Sequence, residues 1–177
     1  MVSPPQTGYE NILKEFLREK CNPVSVHPEG MPANAVNHKH YWRPIMAFWL
    51  FKQEPGCYSL DDLERDGTTI WDGVSNALAR KHLRATKAGD RVFFYHTGKE
   101  KAIVGEMKIV GKPIIDPEGD DPNAVAVTVR FVKRYAKPIT LAEIKKVQAL
   151  ADWDLVRISR LSVVPVTEEQ WSLVISH

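Results

Sequence analysis

The stretch R-V-F-F-Y-H-T-G-K-E-K-A-I-V-G-E-M-K-I-V, residues Arg91–Val110, indicates the fold most directly. Two runs rich in β-branched and aromatic residues, Arg91–His96 and Ala102–Val110, flank the polar segment Thr97–Lys101, which contains Gly98. Two such runs joined by a short, Gly-containing connection are typical of a β-hairpin. The sequence therefore predicts two neighbouring antiparallel strands here.

Three more strands are predicted, one before this hairpin and two after it. Ala47–Gln53 is an apolar run that stops at the turn Glu54-Pro55-Gly56, Val125–Phe131 alternates apolar and polar residues, and Leu161–Val166 is again apolar. Hairpins and short loops connect strands in antiparallel order, so we expect a mostly antiparallel, curved sheet closed into a small barrel rather than a doubly wound sheet.

Short helices are predicted where a capping residue precedes a helical pattern. The predicted helices begin at Ser59 with Asp62 (ending at Gly67), at Asn76 (to Thr86), at Thr140 with Glu143, and at Thr167 with Gln170. The expected fold class is thus α+β, a twisted barrel flanked by short helices.

Proline separates the first quarter of the chain from the rest. Six of the 12 prolines lie within residues 1–45, where only Tyr9–Cys21 has a helical pattern, with Thr7 and Glu10 at capping-box spacing near its start. We expect residues 1–45 to be an irregular, mobile extension with one helix, and residues 46–177 to be the folded domain.

Composition excludes several classes of protein. The longest apolar run, Met46–Phe51, has six residues, whereas a membrane span needs about 20. The sequence does not show the basic segment followed by an apolar stretch that is typical of a secretory signal. Cys21 and Cys57 fit neither a disulfide framework nor a metal motif. We therefore expect reduced thiols, a cytoplasmic location, and a monomer as the default.

The charge balance limits the kind of nucleic-acid contact that is expected. The 24 Lys and Arg residues nearly cancel the 22 Asp and Glu residues, which gives a net charge of +2. Proteins that bind nucleic acid mainly through counterion release are usually more basic. Any such contact should therefore be local, one pocket with a modest basic rim.

Motifs of the common catalytic mechanisms are missing. The sequence has no Gly-rich phosphate loop, no H-E-x-x-H, no paired C-x-x-C and no G-x-S-x-G. We predict neither a metal nor a cofactor.

Polar residues at the end of the first strand form one candidate cluster. Lys52, Gln53 and Glu54 follow an apolar run, where backbone geometry can direct them into a cleft. The alternative is that their charges are simply solvated at the strand end.

A second candidate cluster surrounds a tryptophan. Trp71 precedes the turn signal Asp72-Gly73, where an exposed indole could stack on a base while Asp72 and Asn76 contact the edge of that base. The alternative is a core tryptophan beside a helix N-cap asparagine.

Further candidates are aromatic and basic. Tyr95 and His96 end the second predicted strand and could line a pocket, although a lone histidine is more often structural. Arg80 and Arg84 share a helix face, and with Arg160 they suit phosphate groups or a solvated surface.

Seven short motifs occur in order along the second part of the chain. They are W-L-F-K-Q-E-P (Trp49–Pro55), Y-S-L-D-D-L (Tyr58–Leu63), W-D-G-V-S-N (Trp71–Asn76), F-Y-H-T-G (Phe94–Gly98), I-V-G (Ile103–Gly105), V-T-V-R-F-V (Val127–Val132) and R-L-S-V-V-P-V-T (Arg160–Thr167). Their order resembles that of the EVE domain, a member of the PUA-like superfamily. The resemblance implies a twisted PUA-like β-barrel with a pocket for a flipped-out, modified base. The related YTH domains read methylated adenine in RNA.

The resemblance also assigns roles to residues. It makes Trp71 a wall of the pocket, with Tyr95 and His96 beside the opening. The implied edge contacts are Lys52, Gln53, Glu54, Asp72 and Asn76. Two positions depart from the family pattern, Gln53 in place of a serine and Ser75 in place of an arginine.

The leading hypothesis is a non-catalytic module that binds a modified nucleobase in RNA or single-stranded nucleic acid, with Arg80, Arg84 and Arg160 on phosphates. A first alternative is a small amidohydrolase acting on modified nucleosides. A distant branch of the superfamily uses Lys, Thr and Glu in this way, and Lys52, Glu54 and Thr97 are available. A second alternative is a protein-interaction or genome-defence accessory module that docks through the helix predicted at Tyr9–Cys21.

Overall fold

The predicted hairpin forms the middle of a seven-stranded sheet in a computed structural model that describes residues 46–117 and 121–176. Its strands follow the order β2-β6-β4-β3-β1-β7, and β5 pairs beside β6. The strands are β1 (Phe48–Gln53), β2 (Thr68–Trp71), β3 (Arg91–His96), β4 (Ala102–Ile109), β5 (Ile114–Ile115), β6 (Val125–Thr140) and β7 (Val163–Val166). The helix predicted at Tyr9–Cys21 lies outside the described residues.

The pairing confirms a mostly antiparallel sheet. β3 and β4 form the hairpin, and Gly98 in their connection has φ 65°, a conformation that favours glycine. Among the described strands, β1 and β3 are the one parallel pair. The chain between them is long enough for the crossover that a parallel pair requires.

The sheet is rolled but not closed. The ring centroids of Trp71 on β2 and Phe51 on β1 lie 5.3 Å apart, although three strands separate β1 from β2 in the pairing order. Register shifts between β3 and β4 and between β4 and β6 help to bend the sheet. The predicted α+β class is confirmed, with one difference from the closed barrel: β2 and β7 remain unpaired with each other. Pro165 in β7 has no N–H to donate to a further strand.

The capping signals located the helices well. The helices are α1 (Leu60–Asp66), α2 (Ala77–Ala85), α3 (Leu141–Ile144), α4 (Asp154–Arg157) and α5 (Glu168–Ile175), with a 3₁₀ turn at Gln148–Leu150. Capping boxes form at Ser59, Thr140 and Thr167, and α1 ends at Gly67. The turn at Gln148–Leu150 and helix α4 were not predicted. No helix within residues 46–117 and 121–176 is long and apolar enough to cross a membrane.

Three features of the sheet differ from the prediction. β2 and β5 were missed because strands of four and two residues are too short for a periodic pattern. β6 continues nine residues beyond Phe131, the predicted end. Its second half is mostly exposed, so pairing with β4 rather than burial of one face maintains it.

A buried carboxylate fixes the beginning of β1. Asp90 accepts hydrogen bonds from the backbone N–H groups of Ala47 (3.0 Å) and Lys87 (2.9 Å) and from the indole of Trp49 (2.9 Å). Buried polar groups are costly unless they are paired. Asp90 thus joins the turn before β3 to β1, whose other end carries the candidate site.

Candidate functional site

A cavity of about 320 Å³ lies where the end of β1 meets β2 and the chain that leads into α1. Its lining residues are Gln53, Cys57, Tyr58, Thr69, Ile70, Trp71 and Asp72. The roll of the sheet, which brings β2 against β1, creates this cavity. Its volume is in the range of small-ligand sites. Of the eight predicted ligand-binding residues, it brings together Gln53, Trp71 and Asp72.

Gln53 offers hydrogen-bond donors to the cavity. Its side-chain oxygen Oε1 accepts the backbone N–H of Glu54 at 2.9 Å, which fixes the orientation of the amide because the NH₂ group cannot accept that bond. The NH₂ group of Gln53 therefore remains the half of the amide that is available to a ligand.

Asp72 and the turn after it form another wall. Asp72 is exposed and follows β2 directly, and Gly73 turns the chain with φ 65°. The backbone N–H of Gly73 donates to Oδ2 of the buried Asp116 at 3.0 Å. This bond holds the turn, and with it Asp72, against the segment that follows β5.

Trp71 is a buried wall rather than an exposed platform. Its side chain is 5% exposed, and its ring lies 5.3 Å from Phe51 and 5.4 Å from Phe94 between centroids. The expectation of an exposed indole is therefore wrong, because the rolled sheet packs this ring into the core. Asn76 caps α2 by accepting the N–H of Ala79 at 3.0 Å. The role of Trp71 as a pocket wall stays a prediction.

Four lining residues were missed from the sequence. Tyr58 donates to Asp66 at 3.0 Å, and burial raises the pKa of its hydroxyl. Thr69 and Ile70 belong to β2, which was not predicted, although the run of β-branched and aromatic residues Thr68–Trp71 is a strand signal. Cys57 is an exposed free thiol, and nothing in its sequence spacing points to the cavity.

Lys52 lies on the opposite face of β1 from its neighbour Gln53, because successive strand residues face opposite sides of a sheet. Its ammonium donates to the carbonyls of Ile158 (3.3 Å) and Ser159 (3.2 Å), and it lies 6.0 Å from the centre of the Tyr95 ring. Burial lowers the pKa of Lys52 to about 8 and raises the pKa of Tyr95 to about 12. Lys52 and Tyr95 do not belong to the cavity lining.

Glu54 holds the connection between β3 and β4. Its Oε2 accepts the hydroxyl of Thr97 at 2.6 Å. A Cβ on Gly98 would lie 2.6 Å from the Oε1 atom of the same carboxylate. The sequence did not place Glu54 and Thr97 together; the structure does. Within residues 46–117 and 121–176, no hydrogen bond or ion pair joins Lys52 to this pair.

His96 has partners on both ring nitrogens. Nε2 accepts the N–H of Leu60 at 3.1 Å, and Nδ1 lies 2.6 Å from Oε2 of Glu100. Because Nε2 accepts, the proton of the neutral ring belongs on Nδ1, which donates to Glu100. The contacts of His96 are thus structural, linking β3 to the start of α1.

Two of the three predicted phosphate contacts are engaged within the chain. Arg80 pairs with Asp121 at 2.5 Å and donates to the carbonyl of Val74 at 2.6 Å, and Arg84 donates to the carbonyl of Asn123 at 2.5 Å. These contacts confirm that Arg80 and Arg84 share a face. Arg160 is exposed. Phosphate binding by all three stays a prediction.

A larger cavity of about 520 Å³ lies beside the second half of β6 and the end of α5. Its lining includes Tyr135, Lys137, Ile139, Val147 and Ile175. It contains none of the predicted site residues, so the smaller cavity is the better candidate. Within residues 46–117 and 121–176, no group of three or more His, Cys, Asp or Glu side chains could hold a metal ion.

The fold and site together define a class: a rolled, mostly antiparallel sheet with short helices and a small polar cavity at the end of its first strand. The model of the EVE domain matches residues 47–177. The chain belongs to the EVE domain family.

Similar proteins cover most of the chain. Human thymocyte nuclear protein 1 is 34% identical over 84% of this chain and 81% of its own length. A Rhodopseudomonas palustris protein solved by NMR is 40% identical with a TM-score of 0.70, covering 74% of this chain and 92% of its own. The crystal structure of human thymocyte nuclear protein 1 in complex with 5-methylcytosine-containing DNA is 35% identical with a TM-score of 0.68, covering 73% and 96%.

Proposed function

We propose that this chain is a binding module that takes a modified nucleobase into the cavity beside Gln53, Trp71 and Asp72. The observation that carries the proposal is the similarity, at 35% identity, to a protein crystallised with DNA that contains 5-methylcytosine. The cavity supports it, because it combines a rigid aromatic wall with polar groups that suit the edge of a base.

The nucleic acid should present the base outside a stacked duplex. A cavity bounded by β1 and β2 admits a base only after it has left the stack, and extrusion is least costly from a single strand or a weakened pair. We therefore propose RNA or single-stranded nucleic acid as the main partner, with DNA included because the related human protein was crystallised with it.

The test is an equilibrium titration by fluorescence polarisation. Short labelled single strands of DNA and RNA carry 5-methylcytosine, N6-methyladenine or no modification at one central position. We expect at least one modified strand to bind about tenfold more tightly than its unmodified match. Asp72→Ala should weaken binding of that modified strand, whereas Asp152→Ala, at an exposed site outside the cavity, should leave its affinity unchanged. Equal binding of modified and unmodified strands would contradict the proposal.

Hydrolysis of modified nucleosides is the second candidate function. Two observations favour it: the pKa of Lys52 is lowered to about 8 by burial, and Thr97 donates to Glu54 at 2.6 Å. A lysine with a depressed pKa can act as a base near neutral pH. Steady product release from acylated nucleosides that is lost in Lys52→Ala would support hydrolysis, and stoichiometric binding without turnover would exclude it.

Two predictions concern the surroundings of the protein. The alternative of a protein-interaction module predicts docking through the helix predicted at Tyr9–Cys21. Deletion of residues 1–45 without any loss of partner binding would contradict that alternative. A cytoplasmic location stays a prediction, and the vertebrate relatives are named as nuclear proteins. Imaging a fluorescent fusion of the full chain distinguishes the two compartments.

A further inference from the structure

We propose that the cavity selects bases whose pairing edge carries an exocyclic amine next to an unprotonated ring nitrogen. Cytosine and adenine have this edge, whereas thymine, uracil and hypoxanthine carry a carbonyl next to a ring N–H. The inference rests on the proposed function and deepens it, because it names the bases that the cavity accepts and the residues that choose them.

The first step is the fixed orientation of Gln53. Its oxygen is held by the backbone N–H of Glu54 at 2.9 Å, so rotating the amide by half a turn would place an NH₂ group against that N–H. The amide therefore offers the cavity hydrogen-bond donors. The matching atom on a base is an acceptor, such as N3 of cytosine or N1 of adenine.

The second step is the opposite character of Asp72. A carboxylate accepts through up to about four lone-pair positions, so partners within the chain leave capacity for a ligand. The turn that carries Asp72 is held by the bond from Gly73 to the buried Asp116 at 3.0 Å. The matching group on a base is a donor, and Asp or Glu is the usual acceptor for the N4 amine of cytosine.

The third step is that the other hydroxyl groups of the lining are engaged with each other or with the chain. Tyr58 donates to Asp66 at 3.0 Å, and Thr69 hydrogen-bonds to Tyr58. Gln53 and Asp72 thus supply the contrast between donor and acceptor. Thymine would place its ring N–H against the Gln53 donors and its O4 carbonyl against the Asp72 carboxylate.

5-Methylcytosine and thymine form the matched pair that isolates this contrast. They share the ring and the methyl group and differ at O4 or N4 and at the proton on N3. Because an unmatched edge leaves unpaired the polar groups that the bound base covers, we expect 5-methylcytosine to bind at least about tenfold more tightly than thymine.

The experiment measures the affinities of short single-stranded DNAs with 5-methylcytosine, cytosine or thymine at one position, by fluorescence polarisation. Gln53→Glu keeps an oxygen for the N–H of Glu54 but replaces the donors by an acceptor, so it should reduce the ratio of 5-methylcytosine to thymine affinity. Adding Asp72→Asn makes both groups complementary to thymine and should invert that ratio. Gln148→Glu, the same change at an exposed site outside the cavity, should leave the ratio unchanged.

The outcomes separate this inference from the proposed function. If 5-methylcytosine and thymine bind equally and both more tightly than cytosine, the cavity reads the methyl group alone and the inference is wrong while the proposed function stands. If none of the three is preferred over the others, the proposed function fails for this modification. The ratio for the unaltered protein decides the inference even where a variant does not fold, which circular dichroism monitors.

Discussion

Asp90 holds the beginning of β1 through hydrogen bonds from Ala47 and Trp49. Three donors, the N–H groups of Ala47 and Lys87 and the indole of Trp49, lose their acceptor in Asp90→Ala. Each buried donor left unpaired costs about 1–3 kcal/mol, so we expect the free energy of unfolding to fall by about 3 kcal/mol or more. Urea denaturation measures this fall. Asp152→Ala, at an exposed position, is the control and should change stability by less than about 0.5 kcal/mol.

Lys52 gives the fold a pH dependence in the alkaline range. Its folded pKa of about 8 lies below the ordinary value of 10.5 because the ammonium is partly buried. Between these values the unfolded chain binds more protons, so the free energy of unfolding should rise as pH increases from 8 to 10.5. Urea denaturation at both ends of this window measures the rise. Lys52→Met should reduce it; the same rise in that variant would mean that other groups cause it.

For individual residues, the sequence indicated which side chains are candidates for the site better than it indicated their burial and their neighbours. The residue type and strand-end position of Gln53 were enough to propose a polar contact. Trp71 illustrates the limit: whether an indole is exposed depends on the distance between β1 and β2, which is set by the roll of the whole sheet. Cys57 and Tyr58 follow the predicted turn at Glu54-Pro55-Gly56, but no local pattern indicates that their side chains line the cavity.

The connection between β3 and β4 is sensitive to the substitution of one glycine. Gly98 has φ 65°, and a Cβ there would lie 2.6 Å from a carboxylate oxygen of Glu54. Gly98→Ala should therefore lower the free energy of unfolding by about 1–2 kcal/mol, since a left-handed conformation costs a residue with Cβ about that much. Thermal denaturation measures the loss. Gly56→Ala is a matched control, because its Cβ meets nothing within 4 Å and its φ is outside the left-handed region. Equal effects of the two substitutions would contradict the account.

Elements with their own capping signals were predicted well, and elements created by pairing were not. α1 is fixed locally by Ser59, Asp62 and Gly67. β2 has four residues and depends on β6 for its hydrogen bonds, and the second half of β6 depends on β4. Such strands are recognisable only once their partners are in place.

For the whole molecule, charge predicts a weak dependence of binding on salt. The net charge is +2, and Arg80 is already paired with Asp121. We expect fewer than about six phosphate contacts, which gives a slope of log affinity against log salt shallower than about −4 for a single strand. Titrations at several potassium chloride concentrations measure this slope. A steeper slope would show that an extended basic surface, rather than one cavity, supplies the affinity.

Cys57 allows the most direct test of the claim that the base binds in this cavity. In a Cys21→Ser background, N-ethylmaleimide adds its ring to Cys57, an exposed thiol in the cavity lining, and mass spectrometry verifies complete reaction. The measurement is the affinity for a single strand containing 5-methylcytosine before and after alkylation. We predict a loss of about tenfold or more, with no loss when the Cys57→Ser variant of the same background is treated identically. Unchanged affinity after complete alkylation would contradict binding in the cavity.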